Sequence, residues 1–275
     1  MSLRTFGTMP ALLCLALSLT FCSCSVLEDR SGCPCYTYLI LDEFIRAGFR
    51  DAVISFDSGA DASQDKVSLA KYAGISYQRI FNRSTIRVSV VSGLDAGMIG
   101  NDNLLFPYGT EADPVWMFFD LAECLGDEEY INAVPYKQYC NLSIVVDGLA
   151  PGEEYGCLFR IRASCCGIGL YSGMPAEGEY CSMARRIAAD KFSVRIPRQS
   201  GNVLQLEIVG ADSGDNIDAP AIEVLDLGNE LKACGYDWTK NSLDDASAVV
   251  DCSKAEVTVT VSDWEPDISF GDIEI

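Results

Sequence analysis

Period-two alternation of apolar and polar residues recurs along this chain, and it limits the possible fold more than any other feature. Between Arg83 and Val91, Ile86, Val88 and Val90 share one face while Arg87 and Ser89 take the other. Phe192, Val194 and Ile196 alternate with Ser193 and Arg195, and Leu204, Leu206 and Ile208 with Gln205 and Glu207. Val257, Val259 and Val261 alternate with Thr258 and Thr260. Successive side chains of a strand point to opposite faces, so each stretch reads as an antiparallel strand with one face on a core and one in water. Further strands are expected at 36–41, 52–56 and 142–146. Helical periodicity is scarce. Residues 117–125 and 219–231 are each expected to hold a turn or short helix, with Gly126 and Gly228 as breakers.

Short strands separated by Gly, Asp and Asn turns build sandwiches rather than a parallel α/β sheet. A length of 275 residues is large for one sandwich. Turn residues cluster at Asp147-Gly148-Leu149-Ala150-Pro151-Gly152, between two strand-rich halves. The expectation is an all-β chain with two domains, 36–150 and 151–275.

The first residues read as an address and an anchor. Arg4 is the only charge in 1–23, and the run from Ala11 to Cys22 is apolar apart from Ser18 and Thr20. As a helix that run spans about 18 Å, short of a hydrocarbon core of ~30 Å, and it fits the apolar region of a signal peptide. Ser23 directly precedes Cys24, which matches a bacterial lipoprotein signal, although Phe21 stands where such signals usually carry Leu. Cys24 is then the lipid-attachment residue and new N-terminus, and 24–35 is a tether. The alternative is ordinary signal cleavage and a soluble secreted protein. No other stretch is long and apolar enough to span a bilayer, so the lipid is the expected hold on the membrane.

Charge and composition narrow the partners and the chemistry. Asp and Glu number 40 against 20 Lys and Arg, a net charge of −20 that repels phosphate backbones and anionic headgroups, so no nucleic-acid partner is expected. The chain contains no histidine, which excludes Ser-His-Asp and Cys-His catalysis and His-ligated metal sites. Neither a P-loop, a dinucleotide fingerprint nor a G-x-S-x-G elbow occurs. No cofactor and no metal site is expected.

Of 13 cysteines, Cys14 and Cys22 belong to the signal and Cys24 to the lipid. The remaining ten, Cys33, Cys35, Cys124, Cys140, Cys157, Cys165, Cys166, Cys181, Cys234 and Cys252, are an even number in an exported chain. Disulfides are expected among them, with pairing open. Cys33-Pro34-Cys35 and Cys165-Cys166 lack the C-x₂₋₄-C spacing of zinc modules. Vicinal cysteines rarely bridge each other, so Cys165 and Cys166 are expected on opposite faces of a strand.

Three other patterns invite a site. Asp57-Ser58-Gly59 and Asp212-Ser213-Gly214 resemble the triplets of two-lobed aspartic proteases, but Asp215 follows the second where a small residue is expected, and such triplets commonly end strands. Asp57, Asp61 and Asp65, and Asp212, Asp215 and Asp218, cluster as calcium ligands do but lack the D-x-[DN]-x-[DN]-G spacing. Tyr72, Tyr77, Trp116, Tyr171, Tyr180, Tyr236 and Trp238 could bind glycan or peptide if several shared one surface; core packing is the plainer role.

Four segments together are similar to a known family. Cys24-Ser-Val-Leu-Glu-Asp-Arg-Ser-Gly-Cys-Pro-Cys35 resembles the lipidated start of the fimbrillin-associated anchor subunits (FimB-like) of type V pili in Gram-negative anaerobes. Phe106-Pro-Tyr-Gly-Thr-Glu-Ala-Asp113 resembles a family segment between strands of the first domain. Phe192-Ser-Val-Arg-Ile-Pro-Arg-Gln199 with Leu204-Gln-Leu-Glu-Ile208 resembles a strand pair of the second, and Val257 to Trp264 with Ile268 to Ile275 the closing strands. The resemblance implies two tandem transthyretin-like β-sandwich domains in an outer-membrane lipoprotein at the base of a fimbrium, without enzyme activity. It also implies fimbrillin-type partners held by strand exchange, in which open-edge backbone groups pair and alternate side chains enter pockets. The candidate exchanged segment carries Ile268 and Phe270 on one parity and Ile273 and Ile275 on the other, with Gly271 as a bulge. The other reading of that segment is a terminal strand closing its own sheet. A free-standing surface lipoprotein that binds a host glycan or protein is the alternative function.

Overall fold

The computed structural model describes residues 32–150, 152–214, 216–251 and 256–262. The signal segment, Cys24, Cys252 and the candidate exchange residues Ile268, Phe270, Ile273 and Ile275 lie outside the described residues.

The chain is almost entirely strands. It begins with β1 (Pro34–Ile40), a one-turn helix α1 (Asp42–Arg46), β2 (Asp51–Asp57), β3 (Ala62–Ser68), β4 (Tyr77–Asn82) and β5 (Ser84–Ser92). The short β6 (Met98–Ile99) and β7 (Asn103–Leu105) precede β8 (Trp116–Cys124), β9 (Glu128–Asn132), β10 (Tyr136–Lys137) and β11 (Tyr139–Asp147). Then come β12 (Cys157–Gly169), β13 (Pro175–Met183), β14 (Arg185–Ala188), β15 (Lys191–Pro197) and β16 (Leu204–Gly210). The described chain closes with β17 (Ala221–Leu225), helix α2 (Leu227–Ala233), β18 (Asp245–Asp251) and β19 (Glu256–Ser262).

These strands form two sandwiches, as the alternation implies. In the first, a three-stranded sheet ordered β4-β1-β9 faces a five-stranded sheet ordered β10-β8-β5-β2-β3. Leu39, Ile54, Phe56, Phe81, Ile86, Val88 and Val90 fill the space between them. In the second, β14-β15-β11-β18-β19 faces β17-β16-β12-β7-β6, with β13 also on β12. Its core holds Leu142, Ile144, Phe159, Ile161, Phe192, Val194, Ile196, Leu204 and Leu206. Burying each such side chain contributes roughly 1.5–3 kcal/mol, so these inward parities are what hold the sheets together.

Three local expectations are corrected. Residues 117–125 are not a turn or short helix: all but Leu125 belong to β8, which pairs with β5 from Ser84↔Cys124 to Ser92↔Trp116. The 147–152 turn lies within the second sandwich. Strand β11 before it pairs antiparallel with β15 and parallel with β18, so the first sandwich ends before Tyr139. Last, the face of β5 assigned to water is partly dry. Ser89 and Val91 are fully buried, and Val91 joins Met117 in the core of the second sandwich. The outer face of the five-stranded sheet is thus the surface on which the second sandwich sits.

Candidate functional site

The two sandwiches are locked by a joint built from residues 87–115. After β5 the chain leaves the first sandwich, and β7 pairs with β12 at Gly167↔Leu105 and Gly169↔Asn103 before the chain returns as β8. At Gly93 the backbone has φ +84° and a Cβ would stand 2.2 Å from the Pro114 carbonyl oxygen, so only glycine fits this turn. Asp113, 4% exposed, accepts the backbone N–H groups of Asp95, Ala96 and Gly97 at 2.8, 3.1 and 2.7 Å. The carboxylate thereby satisfies three amides of one loop.

The Phe106–Asp113 segment connects β7 to β8, as its placement between strands of the first domain implies, but it packs on the second sandwich. Arg195 donates through Nη2 to Glu111 at 2.7 Å, and the Ala112 N–H donates to the hydroxyl of buried Tyr180 at 3.1 Å. Tyr108 donates to Asp218 at 2.8 Å, and that bond is the main reason its phenol is pushed up to about 12. On the other side of the joint, Arg87 pairs with Asp57, lies 4.7 Å from the Tyr171 ring centre and reaches Asp102 at 3.5 Å. The Gly59 N–H and Arg87 together hold the Asp57 carboxyl below the usual aspartate value.

The acidic patterns are thereby explained without a shared centre. Asp57-Ser58-Gly59 forms the tip of the β2–β3 hairpin on the first sandwich, where Ser58 and Asp61 exchange hydrogen bonds. Asp212-Ser213-Gly214 lies between β16 and β17 on the second. Asp65 accepts from Tyr77 and Arg79, and Asp218 from Tyr108. Among the described residues no group of three or more acids and cysteines is placed to hold a metal ion.

The nine described cysteines are free thiols, none of them joined to another. Most are held singly by their surroundings. Cys140 is buried, and its thiol is pushed up to about 12 by that burial. Cys165, on the core side of β12, lies 3.3 Å from the Ser200 hydroxyl, while Cys166 is half-buried. The two vicinal cysteines differ in burial as strand alternation requires. Cys181 is buried, Cys157 and Cys33 are half-buried, and Cys234 donates to the Val259 carbonyl at 2.8 Å.

The named aromatics scatter. Tyr77, Tyr180 and Tyr236 are core residues, and Tyr72, Trp116, Tyr171 and Trp238 are half-buried at different places. A different aromatic face exists. On the outer side of the three-stranded sheet, Tyr38 stacks on Tyr130 with ring centres 4.7 Å apart and planes at 13°. Tyr36 pairs in register with Ile80, and Tyr36, Ile80 and Tyr130 are 46%, 59% and 59% exposed. Its signal was present in Tyr36-Thr37-Tyr38, where tyrosines take the parity opposite to buried Cys35, Thr37 and Leu39.

The end of the described chain is a sheet edge. Strand β19 pairs with β18 from Asp245↔Ser262 to Asp251↔Glu256, and among the described residues no strand lies on its other side. Among them, too, no helix is long and apolar enough to cross a membrane.

No protein-family model and no curated protein sequence matches this chain. Solved structures do. A provisionally named adhesin from Bacteroides ovatus superposes with a TM-score of 0.59 at 10% identity, covering 84% of this chain and 94% of its own. A provisionally named polysaccharide-binding protein from Bacteroides thetaiotaomicron gives 0.58 at 8% identity over 85% and 98%. The fimbrial anchor protein Mfa2 from Porphyromonas gingivalis gives 0.55 at 11% identity over 84% and 98%. At such identities the likeness is one of fold. Across both sandwiches and the joint between them, the chain therefore has the tandem β-sandwich fold found in a fimbrial anchor protein.

Proposed function

We propose that this chain is a non-enzymatic fimbrial subunit that is lipidated at Cys24, faces outward from the outer membrane and connects a fimbrium to the cell, supporting adhesion. The observation that carries the reading is the fold shared with a fimbrial anchor over almost the whole of that anchor, joined to the lipoprotein-type start of the sequence. A two-sandwich body with nine residues between Cys24 and the first strand at Pro34 suits a tethered extracellular module. Its partners are fimbrillin-type subunits. The exchange segment is 268–275, and β19 leads into it as an edge strand whose backbone can accept or continue pairing. Replacing Cys24 by Ala tests the anchor: the protein and any attached fimbriae should move from the cell surface into the medium. Undiminished retention on the cells would overturn the reading.

The exposed tyrosine face supports a second reading, a surface lipoprotein that binds a host glycan or protein. Tyrosine offers an apolar body for stacking and a hydroxyl for hydrogen bonding, and a structural neighbour carries a polysaccharide-binding designation. Tyr36→Ala with Tyr130→Ala should abolish binding to a glycan array if this face is the site. Unchanged binding would exclude it.

A further inference from the structure

The chain leaves the five-stranded sheet of the first sandwich at Cys124, the last residue of β8, and enters the facing sheet at Glu128, the first of β9. The corner between them is tight. The Leu125 N–H donates to the Glu123 carbonyl at 2.8 Å, and the Tyr36 N–H donates to the Asp127 carbonyl at 2.8 Å. That second bond stitches the corner onto β1 beside Cys35. Cys35 and Thr37 occupy the core face of β1, and with Cys124 they are essentially inaccessible, at 0%, 1% and 0% exposure. The Thr37 hydroxyl oxygen lies 3.4 Å from the Cys124 sulfur. Cys35, two residues earlier on the same face of β1, is buried in the same core as that sulfur. Two thiols from opposite sheets thus share one closed corner of the core.

We propose that Cys35 and Cys124 are joined by a disulfide in the exported protein, an inter-sheet staple that closes the long loop from β1 to β8. This rests on the export reading above, since such bridges persist in oxidising compartments. The oxidant is a disulfide of an oxidising thiol–disulfide oxidoreductase. The thiolate of one cysteine attacks it, forming a mixed disulfide and expelling the carrier's second thiolate. The other cysteine then attacks the first cysteine's sulfur, the protein S–S bond forms and the carrier leaves as a dithiol. The pair gives up two protons and two electrons, and the carrier's disulfide takes up the electrons. Burial pushes the Cys124 thiol up to about 11, so the folded corner holds little thiolate and the exchange belongs to folding, before the corner shuts.

Two preparations separate the pairing from the compartment. Full-length protein taken from the cell surface, alkylated without reduction and digested, should yield a peptide linking Cys35 to Cys124 by mass spectrometry. The same chain, reduced and refolded in an oxidising glutathione buffer, should yield it independently of export. Cys35→Ala and Cys124→Ala should each lower the thermal midpoint by about 5–10 °C under oxidising conditions and become insensitive to reductant. A bridge on refolding with free thiols in the surface protein would overturn the bridge as a feature of the exported chain while leaving the export reading standing. Alkylation of both thiols after oxidising refolding, or a link from Cys124 to half-buried Cys33, would overturn the proposal, and neither result requires a variant to fold.

Discussion

Arg198 brings a full positive charge to 5% exposure at the end of β15 and shares it among acceptors from distant parts of the chain. Its guanidinium donates to the Gln138 side-chain oxygen at 3.0 Å, to the Asn241 carbonyl at 2.9 Å and to the Trp238 carbonyl. Burial lowers its affinity for the proton, so these acceptors are what keep the charge in place. Gln199 beside it donates to the Cys165 and Pro197 carbonyls at 2.9 and 2.8 Å. The Pro197-Arg198-Gln199 block, the end of the segment that resembles a family strand pair, is thus a clamp between the two sheets of the second sandwich. Arg198→Ala should cost about 3–5 kcal/mol in urea unfolding, and Arg198→Lys should recover little of it, because an ammonium cannot reproduce the planar fork. A charge on the buried parity of Phe192, Val194 and Ile196 marks the position as special in the sequence. Its acceptors were not legible there, since they arrive from residues forty and more positions away. A second prediction concerns alkali. The Cys140 thiol and the Tyr108 phenol are pushed up to about 12, and burial also raises the phenols of Tyr180 and Tyr236. The unfolded chain releases these protons first, so stability is intact below about pH 9 and falls as pH rises from there towards 12. Denaturant midpoints measured across that range should decline, and a flat profile would contradict the assignment.

Strands β5, β15, β16 and β19 were legible because one face of each is apolar and the other largely polar. Strand β8 was not. Its Met117-Phe118-Phe119 start packs on both sides, Phe118 into the first core and Met117 into the second, which erases the period that marks a strand. The same burial on both faces hid the joint, and β11 was placed with the wrong half because a turn in the sequence does not reveal which sheet the strand before it joins. Pairing of β7 with β12 depends on one glycine. A Cβ at Gly167 would stand 2.2 Å from the Leu104 carbonyl oxygen and 2.7 Å from a Leu105 methyl carbon. Gly167→Ala should therefore cost roughly 1–3 kcal/mol, the usual range for overpacking. Hydrogen exchange should localise the damage, with faster exchange at β7 and the adjoining end of β12 and little change in the first sandwich.

At the scale of the whole molecule, the described residues form two firmly joined sandwiches, with β19 as an edge strand of the second. The all-β class and the two sandwiches were both drawn from the sequence, because alternation and composition are local properties. The joint and the tyrosine face were not, because both depend on which strands become neighbours. The acidity of the chain, at net −20, opposes close contact with an anionic membrane, so the proposed function needs both a covalent hold at one end and a protein partner at the other. The most direct measurement isolates the full chain from the cell surface by affinity capture and compares it with a chain ending before residue 263. The account predicts that the full chain brings fimbrillin-type polymer with it, while the shortened chain stays on the membrane and comes away alone. Equal recovery of polymer with both chains, or a full chain that emerges as a monomer, would contradict it.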